Sequence, residues 1–373
     1  MQTSKAETQP VSFQRTSLFN RLRQEWVGVL VLLLLAGFPF LFAWFSGTSV
    51  TDGPSRFWQG LMITFFIMAV YAMSYDLLIG YTGILSFGHA AFFGGGAYTM
   101  ALWLTHAMPS ISSRYRITLP GGANITEVLL FMVGILLVVL VVTLLGLLFS
   151  AASARVRGVY FAMISLAMAE SLHILSKATD FVRWTGADEG LHGVPVPAWI
   201  NPTQNRLLFY FIALGFALLM YLIMRRIVDS PAGRVFVAIR ENESRVRMIG
   251  FNPVVFRSIA FMTAAIIAGL AGALFSLWNM SATPTMTGAI MTINALIMTI
   301  LGGIGTLIGP ILGAGLMQIV GQFFYQWFGP RWPLVFGLIF IALVIFLPYG
   351  VIGTWRQKQH AVKQTIRKMF GKG

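Results

Sequence analysis

The chain has 373 residues, of which 57% are hydrophobic and only 10% are charged, and its net charge is +14. Soluble domains carry about a quarter charged residues, so this composition excludes an ordinary soluble fold. The chain contains no cysteine, which excludes a disulfide framework, a thiolate metal site and a thiol nucleophile. The basic residues lie between apolar runs, where membrane topology explains them better than nucleic-acid binding does.

Long apolar runs predict membrane-spanning helices along the chain. A helix needs about 20 apolar residues to cross a bilayer core, and the run 26–45 has them without one charge. Lipid cannot satisfy free backbone groups, so spans are helices or closed barrels, and the sequence lacks the alternation of barrel strands. We predict an all-α integral membrane protein, a polytopic helical bundle of about ten spans. These spans are 26–45, 57–79, 84–105, 127–151, 157–178, 206–224, 258–279, 288–303, 309–325 and 333–348.

Glycine is concentrated in two stretches, 83–97 and 302–315. For the second, the glycines and Pro310 leave open whether 288–325 forms two full spans, broken helices or a re-entrant hairpin. For the first, close helix packing is the expected role of most glycines. The alternative is an interrupted helix whose backbone groups meet a zwitterionic solute, with Ser86 and His89 lining the pathway.

The distribution of lysine and arginine predicts the orientation. With the N-terminus inside, 19 of the 26 basic residues fall on the cytoplasmic side, as the positive-inside rule requires. Both termini are therefore expected to be cytoplasmic. The predicted organisation is an N-terminal tail (1–25), a transmembrane domain (26–348) containing a cytoplasmic loop (225–257), and a basic C-terminal tail (349–373).

Few ionisable residues lie within the predicted spans. Asp76 and Glu170 stand out, and such residues tend to face the bundle interior and mark pathways. Capping at the membrane interface is the alternative for Asp76. Glu170 and His173 share one helical face, but two ligands from one helix are weak evidence for a metal, and we predict none.

The cytoplasmic loop predicts a short amphipathic helix. Ser230 can cap a helix that opens at Pro231, and Gly250 with Pro253 would end it. Such a helix suits docking into a groove on a partner protein. The alternative is a helix that lies on anionic lipid at the membrane interface. The residues alone do not decide between docking to a protein and binding to lipid.

Four segments resemble one transporter family in the right order. The loop SPAGRVFVAIRENESRVRMIGFN is similar to the cytoplasmic coupling loop of the branched-chain amino acid permease family of ATP-binding-cassette (ABC) transporters. The segment YDLLIGYTGILSFGHAAFFGGGAYTMAL resembles the family's early Gly-rich region. The segments AGLAGALFSLWNMSATPTMT and ILGGIGTLIGPILGA resemble its later half. The chain looks most like the longer of the family's two permease types, to which urea and amide permeases are closely related.

The resemblance implies a subunit of an importer in a bacterial or archaeal cytoplasmic membrane. Its expected partners are a second, related permease in a heterodimer, two cytoplasmic ATPases, an extracytoplasmic substrate-binding protein and membrane lipid. The implied coupling helix includes Gly233, Arg240, Glu241, Asn242, Glu243 and Gly250. The chain has no phosphate-binding G-x-x-x-x-G-K-[ST] loop, so we predict neither ATP binding, enzymatic activity nor a cofactor.

The expected function is import of leucine, isoleucine, valine or another small amino acid. The net acidic segment 179–205 resembles the family's outward loop, and Asp188 and Glu189 are candidates for docking the binding protein. Urea or a short amide remains an alternative substrate. A stand-alone secondary transporter would need coupling carboxylates beyond Asp76 and Glu170, and a membrane-embedded enzyme would need a nucleophile, base or metal cluster that the sequence lacks.

Overall fold

The computed structural model describes residues 18–47, 49–50, 53–114, 125–156 and 158–331, and beyond these 334–335, 337–339, 341, 345 and 350. The chain divides into two compact units, residues 1–55 and 56–373. In the first unit, helix α1 runs over Leu18–Ser46 and includes Pro39. It therefore begins inside the stretch predicted as an N-terminal tail. The remainder of that tail, and nearly all of the tail predicted over 349–373, lies outside the described residues.

Helices make up most of the described chain. They are α2 (Gly53–Asp76), α3 (Ala90–Leu102), α4 (Met108–Arg114), α5 (Ile125–Arg155), α6 (Val159–Lys177), α7 (Val182–Thr185), α8 (Arg206–Asp229), α9 (Pro231–Met248), α10 (Pro253–Asn279), α11 (Ala289–Gly302) and α12 (Ile308–Phe328). Two short strands, β1 (Leu191–His192) and β2 (Ser281–Ala282), pair in antiparallel fashion. The predicted all-α class is confirmed.

Helix α3 lies deep in the second unit and packs against α5 and α10. Ten of its 13 residues are buried. A Cβ on Gly96 would lie 2.0 Å from the Gly269 carbonyl oxygen, and one on Gly272 would lie 1.9 Å from the Phe93 carbonyl oxygen. Glycine is thus required where α3 meets α10, because any side chain would separate their backbones. The packing role predicted for the first Gly-rich stretch is confirmed here.

The chain leaves regular helical geometry between α2 and α3. Helix α2 ends in a π-turn over Leu77–Tyr81, Gly83 adopts a φ of +71°, and α3 begins only at Ala90. The predicted span 84–105 therefore starts too early. Helical structure instead continues from α3 through a second π-turn over Trp103–Ala107 into α4. The difference lies in residues 84–89, which form an irregular segment and a turn before the first helical residue, Ala90.

Helices α11 and α12 form a tight hairpin. Helix α11 has 14 residues, so it is about 21 Å long, shorter than the bilayer core of about 30 Å. A Cβ on Gly302 would lie 1.7 Å from the Gly309 carbonyl oxygen, and one on Gly313 would lie 1.8 Å from the Met298 carbonyl oxygen. Two full spans do not fit this length of α11, whereas α12 is long and apolar enough to cross a membrane. Whether the short α11 is a broken or a re-entrant element stays open.

Seven of the described helices are long and apolar enough to cross a membrane. They cover Gly28–Ser46, Gly53–Tyr81, Ile125–Arg155, Val159–Lys177, Arg206–Asp229, Pro253–Asn279 and Ile308–Arg331. The polytopic membrane class is confirmed. The count of ten stays a prediction. The predicted spans 84–105 and 288–303 are not among these seven helices, and most of 333–348 lies outside the described residues.

Candidate functional site

Helix α9 begins as the sequence predicts, directly after α8. The Ser230 hydroxyl accepts a hydrogen bond from the Gly233 N–H at 3.3 Å, and Pro231 occupies the first helical position. A Cβ on Gly233 would lie 2.1 Å from the Val228 carbonyl oxygen. Only glycine therefore lets the first turn of α9 fold back against the end of α8.

Helix α9 is divided in two at Asn242. This residue has φ −159° and ψ 99°, an extended conformation that interrupts the helix. Its side-chain Oδ1 accepts a hydrogen bond from the Arg245 N–H at 3.0 Å and so caps the second part. Gly250, with φ +92°, follows the end of the helix, as predicted. The sequence did not indicate the break, because asparagine also occurs on exposed helix faces.

Glu243 is paired within the chain. Its carboxylate forms an ion pair with Arg257 on α10, and a second, at 2.7 Å, with Arg247 one turn along. The side chains of Glu243 and Arg257 are only 14% and 12% exposed. In contrast, Glu241 is exposed. The two carboxylates that the family resemblance assigns to the coupling helix therefore have different environments.

Arg240 reaches from α9 to the π-turn at the end of α2. Its Nη1 donates a hydrogen bond to the Gly80 carbonyl oxygen. Beside it, the Oδ1 of the fully buried Asp76 accepts the Gly305 N–H at 2.8 Å. We call these residues, together with Gly83, the Arg240 junction. It unites Arg240, which the sequence assigned to coupling, with Asp76, which the sequence assigned to the pathway.

An apolar groove of about 270 Å³ runs along α9 and the turn that follows it. Its rim includes Ile249, which is 65% exposed. The lining residues are Pro231, Arg234, Val235, Ala238, Val246, Ile249 and Phe251. Exposed apolar side chains at a concave surface are typical of a site that receives another apolar surface.

Ser86 and His89 are fully buried. The Nε2 of His89 is 2.8 Å from the Ser74 hydroxyl, and its ring stacks on Tyr71. The Ser86 hydroxyl accepts a hydrogen bond from the Gly88 N–H at 3.3 Å. The described residues enclose both side chains, whose contacts hold the start of α3, and their role as pathway residues stays a prediction.

Amide groups at the start of α3 and just before it are satisfied by hydroxyls from other helices. The Phe87 N–H donates to Ser165 on α6 at 3.0 Å, and the Ala90 N–H donates to Thr292 on α11 at 2.8 Å. These are backbone groups of the kind that the sequence left available for a solute. The sequence did not single out Ser165 and Thr292, because each helix carries other hydroxyl residues, such as Ser171 on α6 and Thr299 on α11.

Glu170 and His173 hold the segment that precedes α11. The Oε1 of Glu170 accepts the Ala289 N–H at 3.2 Å, at the N-terminus of α11, where a carboxylate is favoured. The Nδ1 of His173 lies 2.9 Å from the Pro284 carbonyl oxygen and 3.1 Å from the Thr287 hydroxyl. Their shared helical face therefore positions a loop.

Asp188 and Glu189 lie on a folded surface loop. Asp188 is 81% exposed on its side chain and pairs with Lys177 at 3.5 Å. The loop is held by the pairing of Leu191 with Ala282. Gly190 adopts a φ of +80°, and a Cβ there would lie 2.5 Å from the Ala282 carbonyl oxygen. The two carboxylates are thus presented to solvent on a fixed backbone.

The described helices form an apolar bundle that is interrupted at two places, and an amphipathic helix contacts both breaks. Interrupted helices of this kind are common in transporters. Residues 58–347 match the family model described as "Branched-chain amino acid transport system / permease component". The chain belongs to this family.

Curated relatives agree with this membership. The chain is 25% identical to the "High-affinity branched-chain amino acid transport system permease protein LivM" of Salmonella typhimurium, over 77% of this chain and 68% of the relative. It is 24% identical to a "Probable branched-chain amino acid transport permease protein LivM" of Methanocaldococcus jannaschii, over 84% and 98%. An "Autoinducer 2 import system permease protein LsrC" of Photorhabdus laumondii is 27% identical over 43% and 48%. No solved structure matches.

Proposed function

We propose that this chain is the permease subunit of an ABC importer and forms half of the translocation pathway for branched-chain or other small amino acids. Its family membership over residues 58–347 supports the class of importer. The names of the LivM relatives support the substrate class. A second related permease, two ATPases on the cytoplasmic side and an external binding protein complete the proposed complex.

The observation that carries the proposal is the apolar groove on α9. In the proposed complex α9 is the coupling helix, and the groove receives an apolar surface of an ATPase. Gly233, Asn242 and Gly250 set the shape of the helix, and the exposed Glu241 offers a contact at its surface. Glu243 is assigned a different task, because its carboxylate already holds α9 to α10.

The polar residues of the bundle fit the wall of a pathway that is driven by a partner ATPase better than they fit ion-coupled transport. Asp76 and Glu170 each accept a hydrogen bond from a backbone amide, at Gly305 and Ala289. Carboxylates engaged in this way are poorly placed to bind and release a coupling ion. In the proposed function Ser86, His89, Asp76 and Glu170 stabilise the walls around the solute.

The groove can be tested by placing a charge in it. Val235→Glu puts a carboxylate among the apolar lining residues, whereas Ser244→Glu adds the same charge at an exposed position outside the groove. We expect the tagged parent chain to co-purify with a protein that carries a phosphate-binding loop. We expect Val235→Glu to lose this partner and Ser244→Glu to keep it, because desolvating an unpaired charge opposes docking.

The importer class is tested in proteoliposomes with radiolabelled leucine, alongside urea and acetamide as competing candidate solutes. We expect ATP-dependent leucine uptake that requires the binding protein. If urea or acetamide is taken up and leucine is not, that solute replaces leucine as the proposed substrate. Uptake by the chain alone, without an ATPase, would contradict the importer.

A further inference from the structure

The Arg240 junction leaves no room for side chains in the two turns that it joins. A Cβ on Gly83 would lie 2.6 Å from the Arg240 Cγ, and one on Gly305 would lie 3.3 Å from the Arg240 Nη1. A Cβ on Gly80 would lie 2.1 Å from the Asp76 Oδ1 and 2.5 Å from the Gly305 backbone nitrogen. Glycine at these positions thus brings the turn after α2, the turn between α11 and α12, and the Arg240 side chain into direct contact.

Charge and hydrogen bonding hold the same three elements together. The Arg240 guanidinium donates a hydrogen bond to a backbone carbonyl, and the Asp76 carboxyl oxygen accepts one from a backbone amide. A hydrogen bond from a charged donor such as Arg240 is about twice as strong as one between neutral groups. The contact therefore resists separation of α9 from both turns.

We infer that Arg240 is a positioning residue that makes the two breaks in the bundle move together with α9. The inference rests on the proposed coupling role of α9. Gly83 and Gly305 have φ values of +71° and +74°, and both lie where the helical hydrogen-bond ladder is interrupted. Such positions absorb backbone rotation during a conformational change. If α9 moves, Arg240 would therefore transmit the movement to α2, α11 and α12 at the turns that contain Gly83 and Gly305, where the backbone can rotate.

Arginine suits this role better than lysine does. The planar guanidinium carries five donors in a fixed arrangement, so it can bond to the Gly80 carbonyl while contacting the neighbouring turn. Lysine offers a compact charge on a flexible stem. Arg240→Lys should consequently retain part of the linkage, and Arg240→Gln should lose most of it.

The connection that Arg240 makes between α9 and the two turns can be measured in the purified chain without any partner. The absence of native cysteine permits spin labels at two introduced cysteines, Glu241→Cys on α9 and Ile304→Cys in the turn between α11 and α12. We expect a narrow distance distribution in the parent, at least a twofold broadening in Arg240→Gln and an intermediate width in Arg240→Lys. Arg245→Gln, at an exposed position in the second part of α9, is the matched control and should keep the parent distribution. An unchanged distribution in Arg240→Gln would overturn the inference.

The assembled transporter supplies the functional measurement, which is the amount of solute imported per ATP hydrolysed. We expect this ratio to fall about tenfold in Arg240→Gln, as for loss of a hydrogen bond to a charged group, and to stay at the parent value in Arg245→Gln. Equal ratios in the two variants would refute the positioning role. If the parent chain fails to bind an ATPase, the proposed function fails, and the spin-label distances still decide whether Arg240 links α9 to the turns.

Discussion

Glu243 and Arg257 illustrate how a single pair of residues can connect separate helices. Their charges are largely shielded from water and lie against each other between α9 and α10. A buried ion pair adds little stability relative to well-packed apolar residues, but removal of one partner leaves the other charge uncompensated. The second pair of Glu243, with the half-exposed Arg247, is expected to contribute much less because water screens it.

Substitution of either partner should therefore destabilise the protein, and substitution of both should destabilise it less. We expect Glu243→Gln and Arg257→Met each to lower the free energy of unfolding by about 3 kcal/mol. The double variant should recover a substantial part. Thermal unfolding in detergent would measure these effects, with the exposed Glu241→Gln as the control. An effect of Glu243→Gln no larger than that of Glu241→Gln would show that the pair does not hold α9 in place.

At the scale of secondary-structure elements, the bundle depends on close packing between helix backbones. Helices α3 and α10 meet where Gly96 faces Gly269 and where Gly272 faces the Phe93 carbonyl. In a membrane, apolar side chains gain little by leaving lipid, so close packing carries much of the association between helices. The hairpin of α11 and α12 is built in the same way, around Gly302 and Gly313.

Two glycine-to-alanine substitutions can distinguish the packing role of glycine from its low helix propensity. Gly272→Ala places a Cβ 1.9 Å from the Phe93 carbonyl oxygen, whereas Gly215→Ala, within α8, meets no atom within 4 Å. We expect Gly272→Ala to lower the thermal unfolding midpoint and to reduce the yield of folded protein, at a cost of about 1–3 kcal/mol. Gly215→Ala should be neutral or stabilising by up to about 1 kcal/mol. Equal midpoints for the two variants would contradict the close contact of α3 with α10.

At the scale of the whole molecule, orientation is the main prediction still to be measured. The excess of basic residues places the loop 225–257 inside and the segment 179–205 outside. The structure shows where to place reporters, because both regions carry exposed side chains on ordered backbone. Glu189 is suitable, whereas its neighbour Gly190 is not, since its φ of +80° disfavours any side chain.

Cysteine labelling would test this orientation. We expect Glu189→Cys to react with a membrane-impermeant maleimide in sealed cells, and Ser244→Cys to react only after permeabilisation. The parent chain, which has no cysteine, is the blank. Reaction of both positions from the same side would overturn the predicted orientation of these two segments.

The surface loop that carries Asp188 and Glu189 should affect association with the binding protein. We expect the double variant Asp188→Lys with Glu189→Lys to raise the binding-protein concentration that gives half-maximal uptake by roughly tenfold, since charges at a docking surface steer association. Uptake should recover at saturating binding protein. Asp180→Lys, an exposed carboxylate in the same segment, is the control. Equal half-maximal concentrations for the parent and the double variant would argue against docking at Asp188 and Glu189.

The sequence by itself determined the membrane class, most helices and the ends of α9. Runs of apolar residues reveal helical spans because lipid admits only helices and closed barrels, and the sequence lacks the alternation of barrel strands. Ser230 and Gly250 mark the ends of α9 because caps and positive φ values depend on local chemistry. The family resemblance was also carried by segments that can be read directly from the chain, and the family match over 58–347 confirms it.

Only the tertiary structure decided which polar groups meet. Arg240 and Gly80 are 160 positions apart, and Asp76 and Gly305 are 229 apart. No local pattern predicts such pairs, because they depend on how helices pack and on where glycine allows backbones to approach. The sequence could also not show that Glu241 is exposed while Glu243 is enclosed. Residues two positions apart do not share a helix face, and it is the packing of α9 against α10 that places Arg257 beside Glu243.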